Sequence, residues 1–305
     1  MNVFLTGGSG MVGRNLCEFA RGSIYKIDAP SHNILDLHNL SALTDYLIQT
    51  KPDIVIHGAG LVGGIQANIA SPYDFCYENI QIGLNVIRAS QVAGVTRLIN
   101  LGSSCMYPHA AKNPLQEQAI LTGELEPTNE GYAIAKIAIA RLARYVSQQH
   151  AVDYKTIIPC NLYGLWDKFD KQQSHMIPAV IRKIHEAKLA GDILVDIWGD
   201  GTTRREFLFV EDLVDFLFFV LEDFDSVPDT INVGLGYDYS IDEYYNTIKG
   251  VVGYQGSFRH DLTKPTGMSQ KLVDTTLQQG LGWLPKTNLK TGIERTYQFF
   301  LKEVM

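Results

Sequence analysis

The feature that most constrains the fold is a glycine cluster directly after the first apolar run of the chain. Residues 3–6 have the composition of a short buried strand, and Gly7, Gly10 and Gly13 follow with G-x-x-G-x-x-G spacing ahead of a helical pattern. Such glycines allow a tight turn, close approach of the backbone to a pyrophosphate, and close packing of the helix on the strand. The helix N-terminus then faces the phosphates. This arrangement predicts a dinucleotide-binding β-α unit.

Short apolar runs alternate with longer amphipathic segments through the first half of the chain. The predicted strands are 3–6, 23–28, 53–57, 97–101 and 155–161, and the predicted helices are 11–20, 41–50, 72–93 and 132–150. Strands that are apolar on both faces and alternate with helices indicate a doubly wound parallel sheet, the α/β Rossmann architecture. We expect residues 1–165 to form the NAD(P)-binding domain, with segments near 199–235 returning to it. Residues 166–305 are expected to form mainly a smaller, mixed α/β substrate-binding lobe.

Composition narrows the class of protein. The 305 residues are 46% hydrophobic and 19% charged, with a formal net charge of −7. A mildly acidic chain is a poor general binder of nucleic acid or of an anionic membrane, so we expect neither partner. The four cysteines form no C-x-x-C pair, and we find neither a signal-peptide pattern nor a membrane-spanning run, so we expect a cytoplasmic protein. The scattered histidines lack the spacing of metal ligands, so no metal site is expected.

Residues around the predicted cofactor site leave the choice of nicotinamide cofactor open. Asp28 ends the second predicted strand, where an acidic residue commonly binds the ribose hydroxyls of NAD, although it can equally be a solvated strand end. Asp36 and Leu37 are expected to border the adenine. No arginine lies in the glycine loop or directly after that strand, where a 2′-phosphate would be bound. The loop residues expected to contact the cofactor are Gly7, Ser9, Gly10, Met11, Val12 and Gly13.

A tyrosine, a lysine and a serine predict carbonyl chemistry. Tyr132 and Lys136 lie four residues apart, on one face of a predicted helix. The lysine charge is expected to lower the pKa of the phenol, which makes Tyr132 a proton donor or acceptor for a carbonyl. Ser103 follows strand 97–101, at the end where ligands bind in open α/β sheets. A glycine loop, Ser and Y-x-x-x-K in this order resemble the short-chain dehydrogenase/reductases, and the long C-terminal part resembles the extended branch, which mostly acts on nucleotide sugars.

Motifs along nearly the whole chain resemble the GDP-L-fucose synthases, which are epimerase/reductases of GDP-4-keto-6-deoxy-mannose. Besides the Y-x-x-x-K segment, they are Leu101-Gly102-Ser103-Ser104-Cys105-Met106-Tyr107-Pro108, Leu125-Glu126-Pro127-Thr128-Asn129-Glu130, Asn161-Leu162-Tyr163-Gly164, Ser174-His175-Met176-Ile177-Pro178-Ala179, Arg205-Glu206-Phe207, Val62-Gly63-Gly64-Ile65 and Glu294-Arg295-Thr296-Tyr297-Gln298.

The resemblance implies a role for each catalytic candidate. Cys105 would act as base and His175 as acid, epimerising C3, C5 or both, beside the C4 ketone. A proton α to a ketone becomes removable once the ketone oxygen is hydrogen-bonded, and Ser103 and Tyr132 would supply those bonds. Reduction of C4 by NADPH, with NADH as a possible donor, would follow, and Tyr132 would protonate the oxygen.

The resemblance also implies binding residues and a homodimer. Further cofactor contacts would come from Leu101, Gly102, Lys136, Asn161, Leu162 and His175, and substrate contacts from Lys183, Trp198, Arg205 and Lys271. The superfamily commonly dimerises through two long helices, here 72–93 and 132–150. Three positions depart from the family pattern: Ser9 replaces a basic residue, Gly131 replaces a proline, and Lys264-Pro265-Thr266-Gly267 departs from K-P-D-G.

The same residues also bear on other candidate functions. A 4,6-dehydratase needs an acidic pair after the catalytic Ser or Thr, where this chain has Ser104 and Cys105. A 4-epimerase would need neither Cys105 nor His175. An epimerase/reductase for a GDP-4-keto-3,6-dideoxy-hexose or a GDP-6-deoxy-heptose stays open because of Thr266. A non-catalytic NAD(P)-binding sensor is the alternative of another class, but such proteins usually lose the Tyr or the Lys.

Overall fold

The computed structural model describes residues 1–170, 174–263 and 268–305. The strands are β1 (Asn2–Thr6), β2 (Lys26–Asp28), β3 (Ile54–His57), β4 (Arg97–Leu101), β5 (Asp153–Pro159), β6 (Asn161–Tyr163), β7 (Leu194–Trp198), β8 (Arg204–Arg205), β9 (Phe207–Phe209), β10 (Thr230–Val233), β11 (Tyr239–Ser240), β12 (Ser257–Asp261) and β13 (Gln270–Lys271). The α-helices are α1 (Met11–Phe19), α2 (Leu40–Thr50), α3 (Ile65–Ala70), α4 (Pro72–Val92), α5 (Glu130–His150), α6 (Met176–Ala190), α7 (Val210–Glu222), α8 (Ile241–Val252), α9 (Thr276–Gly280) and α10 (Leu289–Glu303).

The central sheet has six parallel strands in the order β10-β5-β4-β3-β1-β2. The predicted doubly wound α/β fold is confirmed. From β1 the chain adds β2 on one side and then returns to add β3 on the other side. This reversal creates a crevice at the carboxyl ends of β1 and β3, which is where ligands bind in open α/β sheets.

Alternate residues of the central strands enter two different hydrophobic cores. Phe4 faces a core built with α2, α4 and α5, whereas its neighbour Leu5 faces a core that includes α1 and α7. Helix α7 is rich in apolar residues and is largely buried. Across the described residues, we find no helix whose length and apolar character would let it cross a membrane.

The apolar run 155–161 was predicted as one strand, but it divides at Cys160. The amide of Cys160 donates to the carbonyl of Val233, while β6 leaves the central sheet and pairs with β9 in parallel. Strand β10 pairs with β5 at the edge of the central sheet. The chain therefore crosses between layers more than once, and the predicted boundary at residue 165 stays a prediction.

The remaining elements pack around a third core. Two small sheets, β12-β7 and β11-β8-β13, lie with helices that include α6, α8 and α10, and the buried side chains between them include Ile181, Ile197, Tyr244 and Phe300. In the second sheet, β8 is the middle strand, antiparallel to β11 and parallel to β13. Strands β8 and β13 carry two basic residues that were predicted to bind substrate.

Candidate active site

The glycine loop between β1 and α1 is shaped for a pyrophosphate. Gly7 has a φ of +81°, a conformation that favours glycine, and a Cβ on Gly13 would overlap the carbonyl oxygen of Gly7. Gly10 is the N-cap of α1 and provides no side-chain acceptor, so the amides of the first turn, which includes Met11 and Val12, keep their capacity to bind an anion. The loop therefore fits the diphosphate of a nicotinamide dinucleotide.

The acidic residues expected near the ribose and adenine already have partners within the chain. Both carboxylate oxygens of Asp28 accept from the hydroxyl of Tyr46, at 3.0 and 3.2 Å. Asp36 accepts from the backbone and the ring of His38, and these hydrogen bonds lower the pKa of its carboxyl group. The carbonyl of the neighbouring Leu37 accepts from Asn85 of α4.

A guanidinium does lie at the glycine loop, although the loop itself contains no arginine. The Nε atom of Arg14, in α1, donates to the carbonyl of Ser9 at 3.0 Å. The guanidinium carbon stands 4.4 Å from the ring centroid of Trp166. Arg14 is absent from the residues predicted from the sequence, because it lies just beyond the glycine loop, in α1. Its position directly after Gly13 could have indicated a contact with the cofactor.

Ser103, Tyr132 and Lys136 meet at the carboxyl end of β4. The hydroxyl of Ser103 hydrogen-bonds the phenol of Tyr132. The ammonium of Lys136 donates to the carbonyl of Leu101 at 2.9 Å and lies 5.7 Å from the centroid of the Tyr132 ring. The spacing on α5 therefore presents both side chains to the sheet crevice.

The predicted effect of Lys136 on the phenol is wrong. Burial raises the pKa of Tyr132, the nearby Cys105 adds to the rise, and only the hydrogen bond with Ser103 opposes it. Burial also lowers the pKa of Lys136 to about 8. Loss of hydration penalises the charged form of each group, so it raises the pKa of the phenol and lowers the pKa of the ammonium. Tyr132 consequently stays protonated and can serve as a proton donor.

Cys105 joins the same cluster through a short 3₁₀ turn, Ser104–Met106, which follows β4. Its amide donates to the hydroxyl of Ser103 at 3.3 Å, and the residue is only 5% exposed. Burial raises the pKa of the Cys105 thiol, while the charge of Lys271, the hydrogen bond with Ser103 and the charge of Lys136 oppose that rise. A thiol, a phenol and a hydroxyl therefore share one corner of the crevice.

His175 belongs to a different segment of the chain. It is the N-cap residue of α6, and burial, followed by the charge of Lys168, lowers the pKa of its imidazole. Lys168 in turn donates to the carbonyl of Val62 at 3.3 Å. Within the described residues, no hydrogen bond or charge interaction joins His175 to Cys105. The role of His175 on the opposite face of a sugar stays a prediction.

The residues predicted to bind substrate form two pairs. Arg205 and Lys271 are register partners on the adjacent parallel strands β8 and β13. Lys183 of α6 donates to the carbonyl of Asp196 on β7, and Trp198, 50% exposed, ends the same strand. Lys264, Pro265, Thr266 and Gly267, which depart from the family pattern, lie outside the described residues.

The other residues predicted to contact the cofactor lie at the end of β4 or on β6, which follows β5. The amide of Gly102, directly after Leu101, donates to the carbonyl of Ile157 on β5 at 2.8 Å. Asn161 and Leu162 lie on β6, and the side-chain amide of Asn161 donates to the carbonyl of Glu206 at 3.1 Å.

A model of the NAD dependent epimerase/dehydratase family matches residues 3–234. The chain belongs to the NAD dependent epimerase/dehydratase family. This membership covers the glycine loop, the Ser, Cys, Tyr and Lys cluster, and every strand of the central sheet. The predicted class of cofactor, a nicotinamide dinucleotide, is confirmed by it.

Members of the epimerase/dehydratase family with curated names resemble the chain over nearly its whole length. A GDP-L-colitose synthase from Yersinia pseudotuberculosis is 50% identical over 304 residues, which cover 99% of each chain. A GDP-L-fucose synthase from Azorhizobium caulinodans is 46% identical, covering 98% of this chain and 96% of the relative. The predicted resemblance to GDP-L-fucose synthases is therefore confirmed.

Solved structures agree with this assignment. A GDP-6-OMe-4-keto-L-xylo-heptose reductase from C. jejuni superposes with a TM-score of 0.91 at 32% identity, covering 99% of this chain and 98% of the other. A GDP-mannoheptose C4 reductase from Campylobacter jejuni, solved with NADP bound, gives a TM-score of 0.88 at 33% identity, with the same coverage.

Two carboxylates near the site are absent from the residues predicted from the sequence. Glu126 acts electrostatically on both Arg205 and Lys271. Glu206 is 1% exposed and accepts from the amides of Gly236 and Val273, each at 2.9 Å. Both residues lie inside motifs that carry the family resemblance, and this position could have indicated that they belong to the site.

Proposed function

We propose that the chain is a bifunctional epimerase/reductase of a GDP-linked 4-keto-6-deoxy sugar, with NADPH as the hydride donor. It would invert C3, C5 or both and then reduce the C4 ketone, giving GDP-L-fucose or a close analogue. The observation that carries the proposal is the convergence of Ser103, Cys105, Tyr132 and Lys136 at the carboxyl end of β4. A reductase requires the Ser, Tyr and Lys, whereas the thiol beside them supports a second, acid–base reaction.

The reductive step uses the cluster around Tyr132. Ser103 and Tyr132 hold the C4 oxygen by hydrogen bonds, so the negative charge that develops on this oxygen is stabilised. The reduced nicotinamide, when bound, supplies the hydride for C4. Tyr132 transfers its proton to the oxygen, and the nearby Lys136 ammonium stabilises the resulting phenolate until it regains a proton from solvent.

The epimerising step uses the same two hydrogen bonds for a different purpose. The thiolate of Cys105 removes the proton from a carbon beside the ketone, and the electron pair of the broken C–H bond moves onto the C4 oxygen. His175 then protonates the carbon from the opposite face, so its configuration inverts. Cys105 returns its proton to solvent, and His175 takes one up.

The cationic residues support recognition of the nucleotide diphosphate. Arg205 and Lys271 are register partners, and a guanidinium can bind a phosphate through two parallel hydrogen bonds. Lys183 of α6 donates to β7, the strand that ends at Trp198, and both residues would hold another part of the GDP-sugar. For the cofactor, the guanidinium of Arg14 beside Ser9 supports NADPH, and NADH is a second donor.

A second candidate substrate differs only at C3. The relative at 50% identity is named as a GDP-L-colitose synthase, which favours a GDP-4-keto-3,6-dideoxy-hexose. Such a sugar carries no hydroxyl at C3, so the epimerising step would be confined to C5. The catalytic residues would keep the roles given above.

One experiment tests the function and separates the two substrates. The purified protein is incubated with NADPH and either GDP-4-keto-6-deoxy-mannose or its 3-deoxy counterpart, and the products are identified by NMR. Reduction with inverted configuration at C3 or C5 is the expected result. Consumption of NADPH without inversion would show that the protein is a reductase without epimerase activity. Binding of NADPH without turnover of either sugar would support a non-catalytic sensor.

We further propose a homodimer in the cytoplasm, built through α4 and α5. These helices pack against each other, and α4 also exposes Tyr73 and Tyr77, whose rings stack at 5.5 Å. All four cysteines are free thiols, which suits a reducing compartment. Light scattering after size-exclusion chromatography should give twice the mass of one chain, and Tyr73→Asp should weaken that association.

A further inference from the structure

Two neighbouring residues of α1 contact two neighbouring residues of the connection between β6 and α6. The side-chain amide of the buried Asn15 donates to the carbonyl of Leu165 at 2.9 Å. The guanidinium carbon of Arg14 lies 4.4 Å from the centroid of the Trp166 ring. Because α1 begins at the glycine loop, these contacts join the cofactor loop to a segment 150 residues further along the chain.

The chain occupies only part of the Arg14 guanidinium. Its Nε atom donates to the carbonyl of Ser9 at 3.0 Å, and its carbon lies over the Trp166 ring. Among the described residues, no hydrogen bond or ion pair engages its two terminal nitrogens. Arg14 is exposed beside the glycine loop, which itself contains no lysine or arginine. Terminal nitrogens of a guanidinium can bind one phosphate through two parallel hydrogen bonds, so this side chain can receive an anion.

Trp166 contributes its ring rather than its polar nitrogen. The Nε1 atom is buried and has no hydrogen-bond partner among the described residues. Phe299 of α10 packs edge-on against the ring, with the centroids 4.9 Å apart, and α10 is anchored in the third core by Phe300. The φ of Trp166 is +64°, in the left-handed region that bulky residues rarely adopt. The chain therefore accepts an unpaired donor and an unfavourable backbone angle at the residue that carries this ring.

We propose that Trp166 is a positioning residue for the cofactor: its ring, supported by Phe299, holds the Arg14 guanidinium beside the glycine loop and thereby sets the preference for NADPH over NADH. This inference rests on the part of the proposed function in which Arg14 serves the 2′-phosphate. An arginine on an exposed helix face has many conformations, and restricting them before the cofactor arrives reduces the entropy that is lost on binding. Trp166 therefore affects the binding of the cofactor and not the chemical steps.

Two carboxylates, Asp167 and Glu303, line the same cavity as the Arg14 guanidinium. Glu303 pairs with Lys302 at 2.9 Å. Asp167 accepts from the backbone amide of the next residue at 2.8 Å, and burial raises the pKa of its carboxyl group to about 7, which weakens its negative charge near neutral pH. Neither carboxylate forms an ion pair with Arg14 within the part of the chain that the structure describes, so the terminal nitrogens stay available to a phosphate.

The test measures cofactor binding without sugar substrate or turnover. Isothermal titration calorimetry gives the Kd of NADP and the Kd of NAD for the wild type, Trp166→Leu and Trp166→Phe. The wild type should bind NADP more tightly than NAD. Trp166→Leu should raise the Kd of NADP about threefold and leave the Kd of NAD unchanged, since a cation–π contact at an exposed site contributes about that much. Trp166→Phe keeps an aromatic face and should retain most of the preference for NADP.

A double-mutant cycle shows whether Trp166 acts through Arg14. Arg14→Met removes the charge, so Trp166→Leu should have no further effect on the Kd of NADP in that background. Phe19→Leu is the matched control, because it removes an exposed ring of the same helix that stacks on Phe218, with the centroids 5.0 Å apart. It should leave both Kd values unchanged. If Trp166→Leu does not fold, Trp166→Met provides the same comparison.

An unchanged Kd of NADP in Trp166→Leu, or an equal rise in the Kd of both cofactors, would overturn the inference, even if the protein epimerises and reduces its substrate. Independent effects of the two substitutions in the double variant, or a wild type that binds NAD as tightly as NADP, would overturn it as well. A protein with the expected Kd values that turns over neither GDP-sugar would instead refute the proposed epimerase/reductase and leave the role of Trp166 intact. The two failures are therefore distinguishable.

Discussion

The ammonium of Lys136 donates a hydrogen bond of 2.9 Å to the carbonyl of Leu101, and this contact ties α5 to the carboxyl end of β4. It fixes the helix that carries Tyr132 against the turn that carries Ser103 and Cys105. Burial of the same ammonium lowers its pKa to about 8.

Tyr132→Phe should bind the cofactor normally but lose reduction by about a hundredfold or more, since general acid catalysis contributes at least that much. The substitution deletes the proton donor and keeps the ring, which packs edge-on against Phe75. Cofactor affinity and single-turnover oxidation of NADPH measure the two effects. A rate within a few-fold of the wild type would exclude the assigned role.

Reduction should slow as pH rises above about 8, because Lys136 then loses its charge. Burial raises the pKa of Tyr132, so Tyr132 stays protonated over this range and does not cause the decline. The profile of kcat/KM against pH reports the free enzyme and is the appropriate measurement. Lys136→Arg should shift the alkaline decline of kcat/KM to higher pH. If the decline stays at the same pH in that variant, another group titrates.

Cys105→Ser should abolish exchange of the α-protons with solvent deuterium, because a hydroxyl is a far weaker base than a thiol at nearly the same size. Residual oxidation of NADPH should yield a sugar with its original configuration at C3 and C5. His175→Asn should impair inversion while some exchange persists. NMR with the cofactor omitted follows the exchange directly. If Cys105→Ser exchanges these protons at the wild-type rate, the thiol has a structural role only. The proposed function would then be reduced to the reductase activity.

NADPH should be preferred over NADH, with NADH still a working donor. The guanidinium of Arg14 stands at the loop, and the carboxylate of Asp28 is engaged by Tyr46. Arg14→Met should lower kcat/KM for NADPH more than for NADH, because only the former carries the 2′-phosphate. Complete inactivity with NADH in the wild type, or an unchanged ratio in the variant, would contradict this assignment.

Glu206 should make the folded protein lose stability as pH rises. Burial raises the pKa of this carboxyl group from 4.5 to about 7, so the folded chain binds its proton more tightly than the unfolded chain does. This contribution is full below pH 4.5 and is lost as the pH rises through about 7, an effect of about 3 kcal/mol in the free energy of unfolding.

Chemical denaturation of the wild type and Glu206→Gln at several pH values measures that contribution as the difference between them. Asp167, whose pKa burial also raises to about 7, cancels in this difference because both proteins carry it. A difference that is independent of pH between these limits would show that Glu206 does not titrate there.

Local sequence patterns were sufficient to predict the Rossmann sheet and most of the catalytic cluster. Glycines spaced in the loop, and a Tyr and Lys four residues apart, are local patterns whose geometry follows from one turn and one helix. Their placement at the ends of β1 and β4 follows from the alternation of strands and helices. These parts depend on short-range rules, so residues 1–165 could be interpreted with little knowledge of the rest.

Tertiary structure alone decided the electrostatics and the cross-chain contacts. The pKa of Tyr132 rises because packing removes water, and neighbouring residue types cannot reveal the extent of that loss. Arg14 reaches the ring of Trp166, and Lys136 reaches the carbonyl of Leu101, only because distant elements meet in space. Desolvation and long-range contacts depend on how the whole chain packs, so a local sequence pattern cannot predict them.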